Sequence, residues 1–220
     1  MGLFNKIKAL KVRDIAFFAD GDYFYSKGLA ASIQKELKIE KYGLTLEELN
    51  PILHYLVEFI QDEKPIIKSG NKLTCFSWLI LAHDAGDYFE ILEIVPEKGG
   101  FASGLNHTLH VLEQQLFVCD QLKVEPVFPD FDHIVTIDPL IRTGLPAHLF
   151  RWNRTAPDSG WVVMTDNFDE ETMEFEEITV GQLMTYRPET VQFMALPYGF
   201  KVIWQGKDAK IAFDNNLMEE

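Results

Sequence analysis

The spacing of the apolar residues changes twice along this chain, and that change restricts the folds it can adopt. Over residues 46–60 apolar side chains recur at helical spacing, which predicts an amphipathic helix. Residues 72–82 and 88–95 are instead rich in β-branched and aromatic residues, as strands are. Helical spacing returns over residues 104–122. We therefore expect an α+β protein, with a mixed or mainly antiparallel sheet against which three or more helices pack.

Local signals refine this expectation in the first half of the chain. Thr45 and Glu48 have the spacing of a capping box, which predicts that the first amphipathic helix begins at Thr45. Residues 20–39 hold an approximate apolar stripe among good helix formers and predict a further helix. The five residues 83–87 include a glycine and should form the turn of a hairpin.

Pro126 and Pro129 lie in a stretch without periodicity, which is where we place a boundary. It separates an α+β N-terminal region of unrecognised type, 1–125, from an α+β C-terminal region, 126–220, unless the two form one compact unit. The elements predicted beyond it are a strand at 133–137, an irregular link at 139–150, a strand from 161 to 163, short helices from Thr179 and Pro188, a strand at 201–205 and a loose tail over the last ten residues.

The charge balance bears on possible partners. Acidic residues number 34 against 20 basic ones, giving a formal net charge of −14. Such a field repels nucleic acid and anionic lipid and speeds encounter with a cationic partner, although acidity also serves solubility alone. The apolar runs are too short to span a bilayer, and no signal peptide is evident. We expect a cytoplasmic protein that binds neither nucleic acid nor membrane; no pattern indicates an oligomeric state.

The turn at Pro157, Asp158, Ser159 and Gly160 leads into a short apolar run that begins with Trp161. Proline fixes φ, Asp and Ser can bond their own backbone, and glycine accepts a positive φ, so a tight turn is expected. The indole of Trp161 is expected in the core rather than at a contact surface.

An acidic stretch follows immediately, over residues 166–177, with Phe168, Met173 and Phe175 among its carboxylates. One interpretation is a solubilising loop. The other is an anionic patch with aromatic anchors that covers a basic site on a partner protein. The predicted partner-binding residues are Asp166, Asp169, Glu170, Glu171 and Glu174.

Several short motifs occur in a fixed order over residues 154–204. They are Asp158-Ser159-Gly160-Trp161 with Arg154 before it, the acidic residues 166–171, Ile178, Gly181-Gln182-Leu183, Pro188 and the turn Leu196-Pro197-Tyr198-Gly199. In this order and spacing the segment resembles a bacterial immunity-protein domain family. Asp166-Asn167-Phe168 departs from the Gly-Asp-Glu that is commoner in the family. The resemblance implies a cytosolic, non-enzymatic protein of a toxin system that binds and occludes a cognate effector. A basic toxin would fit the negative charge of this chain.

Patterns that would indicate an enzyme are weak. His107 and His110 share a helix face but need a third metal ligand, such as one from the turn at 83–87. Acidic residues at 20–22, 129–133 and 138 are expected to lie in solvated turns. Ser159 lacks the flanking glycines of a nucleophile elbow, and no phosphate-binding loop occurs. We therefore predict no catalytic residues, metal or cofactor.

Two alternatives to an immunity protein stay open at this point. One is a metal-dependent hydrolase that uses the helix of His107 and His110. The other is an adaptor or structural module in which residues 1–125 bind an unrelated protein. Cys75 and Cys119 lie in apolar surroundings, which predicts buried, reduced thiols rather than a disulfide.

Overall fold

The structure is a computed structural model, and it describes residues 9–169, 171–206 and 208–219, with only the main chain of Glu97. The chain divides into two compact units, Met1–His110 and Val111–Glu220. The division falls within one long helix, whereas the sequence placed a boundary near residue 125; separate domains at 1–125 and 126–220 stay a prediction. Mixed sheets with several helices confirm the α+β fold class.

The first unit is built on one mixed sheet. Its strands are β1 (Ala9–Val12), β2 (Ile15–Asp20), β3 (Tyr23–Lys27), β4 (Glu36–Glu40), β5 (Lys72–Cys75), β6 (Trp78–Ala85), β7 (Tyr88–Val95) and β8 (Gly100–Ser103). They are ordered β1-β2-β3-β4-β7-β6-β5, and β8 also pairs with β7. Strands β4 and β7 are parallel, and the other pairs are antiparallel.

The helices of this unit are short except for the one at its end. They are α1 (Ala30–Ile33), α2 (Asn50–Glu58), which continues as a π-helical turn (Phe59–Glu63), a 3-10 turn (Pro96–Lys98) and the first residues of α3 (Asn106–Leu122). Helix α2 buries Ile52, Leu53, Leu56 and Val57 on one face, as the spacing of its apolar residues predicts.

The capping box forms, but one turn before the helix begins. The main-chain N–H of Thr45 donates to the carboxylate of Glu48 at 2.7 Å, and the N–H of Glu48 donates to the Thr45 hydroxyl at 3.2 Å. Residues 46–49 form turns, and α2 starts at Asn50 with Pro51 in its first turn, where the missing N–H is tolerated. The predicted start at Thr45 is therefore wrong by about one turn.

The predicted helix over residues 20–39 is wrong, because this segment holds β3, α1 and β4. Along β3 the buried side chains alternate at period two, with Phe24 and Ser26 pointing inward. Gly28 has φ +119°, which ends the strand, and Gln34 is left-handed at the end of α1. The helical stripe was thus an alternating strand pattern interrupted by a turn.

The hairpin of β6 and β7 is tighter than predicted. Ala85 pairs with Tyr88, so the turn consists of Gly86 and Asp87 rather than five residues. The segment before it forms two strands, β5 and β6, separated by Phe76, which has φ +58°, and a buried serine. The predicted single strand over 72–82 is therefore corrected to a pair.

Glu93 interrupts the apolar face of β7 for a structural reason. Its buried carboxylate accepts the main-chain N–H groups of His107 and Thr108 at 3.0 and 2.7 Å, and the Thr108 hydroxyl at 2.9 Å. Burial raises the pKa of Glu93, although these donors act in the opposite direction. The carboxylate satisfies orphan donors at the start of α3.

The second unit has a six-stranded sheet of its own. Its strands are β9 (Ile134–Ile137), β10 (Ala147–Arg151), β11 (Asp158–Thr165), β12 (Glu176–Thr179), β13 (Phe200–Gln205) and β14 (Asp208–Phe213). The order is β12-β9-β11-β10-β13-β14, with β9 and β11 parallel and the remaining pairs antiparallel.

Helical segments complete the second unit. They are α3 from Val111 onward, α4 (Val180–Tyr186) and 3-10 turns at Pro139–Thr143, Pro188–Phe193 and Asn215–Met218. The capping box of Thr179 and Gln182 starts α4, which confirms the predicted helix start there. The predicted strands at 133–137, 161–163 and 201–205 are also confirmed, as β9, β11 and β13.

Two predictions for this unit are wrong. The link at 139–150 is not irregular, since it contains a 3-10 turn and most of β10. The last ten residues are not a loose tail: the second half of β14 lies there, and the side chain of Leu217 is buried. Asn153 helps to hold the end of the chain, because its N–H donates to the carbonyl of Leu217 at 2.9 Å.

Candidate partner-binding surface

The acidic stretch forms the connection between β11 and β12. Seven carboxylates and no basic side chain occur in residues 166–177. Phe168 and Phe175, near its two ends, stack with ring centroids 4.4 Å apart. This contact holds the two ends of the loop together, and we call residues 166–175 the acidic loop. Phe175 stays 43% exposed, so the aromatic pair is not a buried core.

Asp169 orders the turn within the acidic loop. Its carboxylate accepts the N–H of Glu171 at 3.0 Å and the hydroxyl of Thr172 at 2.8 Å. The Thr172 hydroxyl lowers the pKa of Asp169, and the N–H of Glu171 acts in the same direction. The loop therefore carries an ionised side chain that also fixes its backbone.

Asp166 is tied to the sheet while it stays in contact with solvent. Its Oδ1 lies 2.9 Å from Nε2 of His148, and its side chain is 82% exposed. Nδ1 of the buried His148 accepts the main-chain N–H of Trp204 at 3.1 Å. An imidazole whose Nδ1 accepts a hydrogen bond carries its proton on Nε2, so His148 donates to Asp166.

The other predicted contact residues are placed as follows. Glu171 and Glu174 are exposed on the acidic loop, and Glu170 lies outside the described residues. Just past the loop, Glu176 pairs with Arg142 at 2.6 Å. The structure thus brings Asp166, Asp169, Glu171 and Glu174 onto one exposed loop. That they contact a partner stays a prediction.

The Asp-Ser-Gly-Trp segment has an architectural role. Asp158 Oδ1 accepts the N–H of Gly160 at 2.8 Å. The Ser159 hydroxyl donates to the carbonyl of Ile134 at 2.6 Å and so joins β11 to β9. Trp161 is fully buried, as predicted, and its indole N–H donates to the carbonyl of Met194 at 3.1 Å. These side chains hold the second unit together.

Gly160 is required by its surroundings. It has φ +78°, and a Cβ there would lie 2.1 Å from the carbonyl oxygen of Trp152. Trp152 directly follows β10, and its N–H donates to the carbonyl of Gly160 at 2.8 Å. Only glycine permits this approach of two backbones.

Sequence reasoning missed Arg151, which is more buried than any other cation among the described residues of the second unit. Its Nη1 lies 2.7 Å from the carbonyl oxygen of Val127 and 2.9 Å from that of Met194, and it also contacts the carbonyl of Leu196. The guanidinium carbon lies 5.3 Å from the Trp161 ring centroid. Since β10 was predicted to be irregular, no inward position was assigned to this arginine.

The chemistry of Arg151 follows from its burial. Desolvation lowers the pKa of Arg151 to about 10, and Tyr198 and Cys119 act in the opposite direction. The Tyr198 ring centroid lies 4.8 Å from the guanidinium carbon. Arg151 thus joins the Leu196–Gly199 turn to Trp161. Arg154, which the resemblance singled out, is exposed and lies over the Trp152 ring at 5.9 Å.

Asp138 corrects one expectation about acidic residues. It was expected in a solvated turn, but it is fully buried and accepts the N–H groups of Leu140 and Thr165 at 2.8 and 3.0 Å. The Thr165 hydroxyl also donates to it. Asp138 therefore starts the 3-10 turn and anchors the end of β11.

The residues considered for enzyme chemistry do not converge. His107 stacks on Trp78 with ring centroids 6.5 Å apart. In the part of the chain that the structure describes, no group of three or more His, Cys, Asp or Glu side chains could hold a metal ion. Cys75 and Cys119 are free and buried, which confirms the predicted thiols, and burial raises the pKa of both.

Among the described residues, no helix combines the length and apolar character needed to cross a membrane.

Comparison with known proteins gives one finding. Residues 114–214, a little under half of the chain, match the family model described as Imm33-like domain. The match supports an immunity-protein family for this segment, and an immunity domain implies a toxin partner in general terms. No curated protein and no solved structure matches the chain. The matched residues include β9–β13, the acidic loop and the Arg151 cluster. By the Arg151 cluster we mean Arg151 and the residues it contacts, Val127, Trp161, Met194, Leu196 and Tyr198.

Proposed function

We propose that this chain is a non-enzymatic immunity protein of the bacterial cytoplasm, which binds a cognate basic toxin and occludes its active surface. The observation that carries the proposal is an exposed, ordered anionic loop inside the segment that matches the Imm33-like domain. The Asp-Ser-Gly-Trp segment is proposed as a structural signature of that domain.

The acidic loop suits such a partner for electrostatic reasons. Five like charges in ten residues repel one another, and a cationic surface brought close to them relieves that repulsion. Complementary charge also raises the rate of encounter and disfavours acidic partners. The Phe168–Phe175 pair and the turn at Asp169 order the loop beforehand, so less conformational entropy is lost on binding.

The proposal is tested by reversing charge on the acidic loop. Asp169, Glu170 and Glu171 are changed together to Lys, and binding to a candidate basic toxin, sought among neighbouring genes, is measured by calorimetry at about 50 and about 300 mM salt. We expect affinity to fall about tenfold or more and its salt dependence to flatten. Protection of cells that express the toxin should fall in parallel.

A matched control separates location from net charge. Reversing Glu47, Glu58 and Glu63, which are exposed in the first unit, changes the net charge equally. We expect this variant to bind and protect almost as the wild type does. Equal weakening in both variants, or unchanged affinity in the loop variant, would show that the acidic loop is not a specific contact surface. A wild-type chain that neither binds nor protects refutes the immunity function itself.

A further inference from the structure

A second surface lies in the second unit and is formed by other residues than the acidic loop. It is a groove of about 530 Å³ lined by α3, the 3-10 turn Pro188–Phe193 and strands β13 and β14. This volume is in the range of ligand-binding clefts. No lining residue belongs to the acidic loop, and all of them fall inside the matched segment 114–214.

The groove has an aromatic floor and an exposed aromatic wall. Phe193 and Trp204 meet edge to face, with ring centroids 5.5 Å apart and planes at 89°. Phe117 lines the groove from α3 and is 65% exposed. Aromatic side chains at a partly enclosed surface are the kind that anchor a protein interface, since they give up much apolar area to a partner without losing many rotamers.

The charged residues that line the groove favour a basic occupant over an acidic one. Among the described lining residues, the charged ones are Glu189 and Asp208, and both are acidic. Glu189 accepts from Nε of Arg187 at 2.6 Å, while Asp208 is exposed at the start of β14. Lys210 is not among the residues that line the groove.

The strand beside the groove can receive another strand. β14 is the last strand of the six-stranded sheet and pairs with β13 on one side. The outer edge of a terminal strand presents main-chain donors and acceptors that an extended segment can bond. A segment paired with β14 would direct alternate side chains toward Ala209, Ile211 and the aromatic floor.

We propose that this groove binds an extended, basic segment of the toxin, with an aromatic or branched aliphatic side chain inserted between Phe117 and Trp204. The inference rests on the proposed function and adds a second contact surface to the acidic loop. Apolar anchoring supplies residence time here, whereas charge on the acidic loop supplies the rate of encounter.

The test uses a displayed library of random dodecamer peptides, selected on the immobilised full-length chain. We expect enriched peptides to carry Lys or Arg around an aromatic or branched aliphatic residue. Phe117→Ser and Asp208→Lys should each weaken the binding of synthetic copies at least tenfold. Both positions are exposed, so the fold should be unaffected.

Controls of the same chemistry lie elsewhere in the second unit. Tyr186→Ser removes an aromatic ring that is 52% exposed and does not line the groove, and Glu219→Lys reverses an exposed charge outside it. Both should leave peptide binding within a factor of two. Equal weakening by the controls would refute a specific groove.

Other outcomes overturn the inference. Failure to enrich any peptide, enrichment of acidic peptides, or binding indifferent to Phe117→Ser each excludes this occupant. A concentration-dependent dimer that Phe117→Ser abolishes would assign the groove to a second copy of the chain. If the wild-type chain does not protect cells from the toxin, the proposed function is refuted. If the groove variants protect cells as fully as the wild type does, only this inference is refuted.

Discussion

Replacing Arg151 with Met tests whether a buried cation organises the second unit. Met keeps the apolar volume of the side chain but removes every donor. Nη1 of Arg151 contacts the carbonyls of Val127, Met194 and Leu196, and the guanidinium lies over the rings of Trp161 and Tyr198. The substitution therefore removes the bonds between β10 and two segments that are distant in the sequence. One contains Val127 and the other contains Met194 and Leu196.

The expected loss of stability follows from those contacts. Met194 keeps the indole N–H of Trp161 as a donor, whereas Val127 and Leu196 lose the guanidinium. Each lost bond from a charged donor costs about 1–3 kcal/mol, and each ring contact adds about 0.5–1 kcal/mol. Relief from burying the cation has the opposite sign. We expect a net loss of about 3–5 kcal/mol in the free energy of unfolding.

The assay is chemical unfolding of the full-length chain, followed by near-ultraviolet circular dichroism, with hydrogen exchange of the β10 and β11 amides as the local measurement. Arg151→Lys is the comparison, because it keeps the charge but is too short to reach the carbonyls with the same geometry. Both variants should lose protection in β10 and β11, while β6 and β7 of the first unit stay protected.

The refuting result is a small effect. If Arg151→Met lowers the free energy of unfolding by less than about 1 kcal/mol, the carbonyl contacts do not outweigh the desolvation of the guanidinium, as happens for some buried charges. A stable Arg151→Lys variant beside an unstable Arg151→Met variant would show that charge, rather than the fork geometry, is what the site needs.

Two further substitutions test local claims by denaturant unfolding. Gly160→Ala should cost about 2–4 kcal/mol, because a Cβ would collide with the carbonyl of Trp152, whereas Gly144→Ala, also at positive φ but with no atom within 4 Å, should cost only about 1–2 kcal/mol; equal losses would contradict the collision. Burial raises the pKa of Glu36, but the Ser26 hydroxyl and three N–H groups lower it to a net value below the ordinary 4.5. A carboxyl group with a lowered pKa in the folded chain stabilises the fold at pH values above its pKa in the unfolded chain, and this stabilisation is lost as the pH falls through its pKa in the folded chain. Glu36→Gln should therefore cost about 1–3 kcal/mol at pH 7 and progressively less in acid, and a loss independent of pH would refute this.

The sequence predicted best where the local signal and the final environment agree. α3 and α4 have helical spacing, and the Thr179–Gln182 capping box stands directly at a helix start. The signal at Thr45 also formed its hydrogen bonds, yet the helix began later, because a capping box needs only one turn of backbone to close.

The failures over residues 20–39 and 139–150 have a common cause. Short strands of four to six residues give too few repeats to distinguish period two from period 3.6, and strand pairing depends on partners that are distant in sequence. β4 pairs in parallel with β7, although α2, β5 and β6 lie between them in the sequence, and β10 is held between β11 and β13. Neither arrangement is visible in the local residues.

The candidate site could also be predicted from the sequence only in part. The charge of the acidic loop could be predicted, since five carboxylates without a cation in ten residues stand out in any sequence. Its order was not, because the Phe168–Phe175 contact and the His148–Asp166 bond depend on how β10, β11 and β12 are placed. The groove of Phe117 and Trp204 combines residues 87 positions apart and has no sequence signal of its own.

On the proposed function, stability and partner choice depend on different residues in the second unit. Arg151, Gly160 and Trp161 are buried, Arg151 contacts the Trp161 ring, and Gly160 bonds the main chain of Trp152, so changing any of them alters the fold before it alters a surface. Asp169 and Phe117 are exposed, and replacing them removes little buried area. A chain of this design can therefore acquire a new partner through its loop and groove while the Arg151 cluster stays unchanged. Transfer of the acidic loop and groove residues alone should then transfer binding, and transfer of the Arg151 cluster should not.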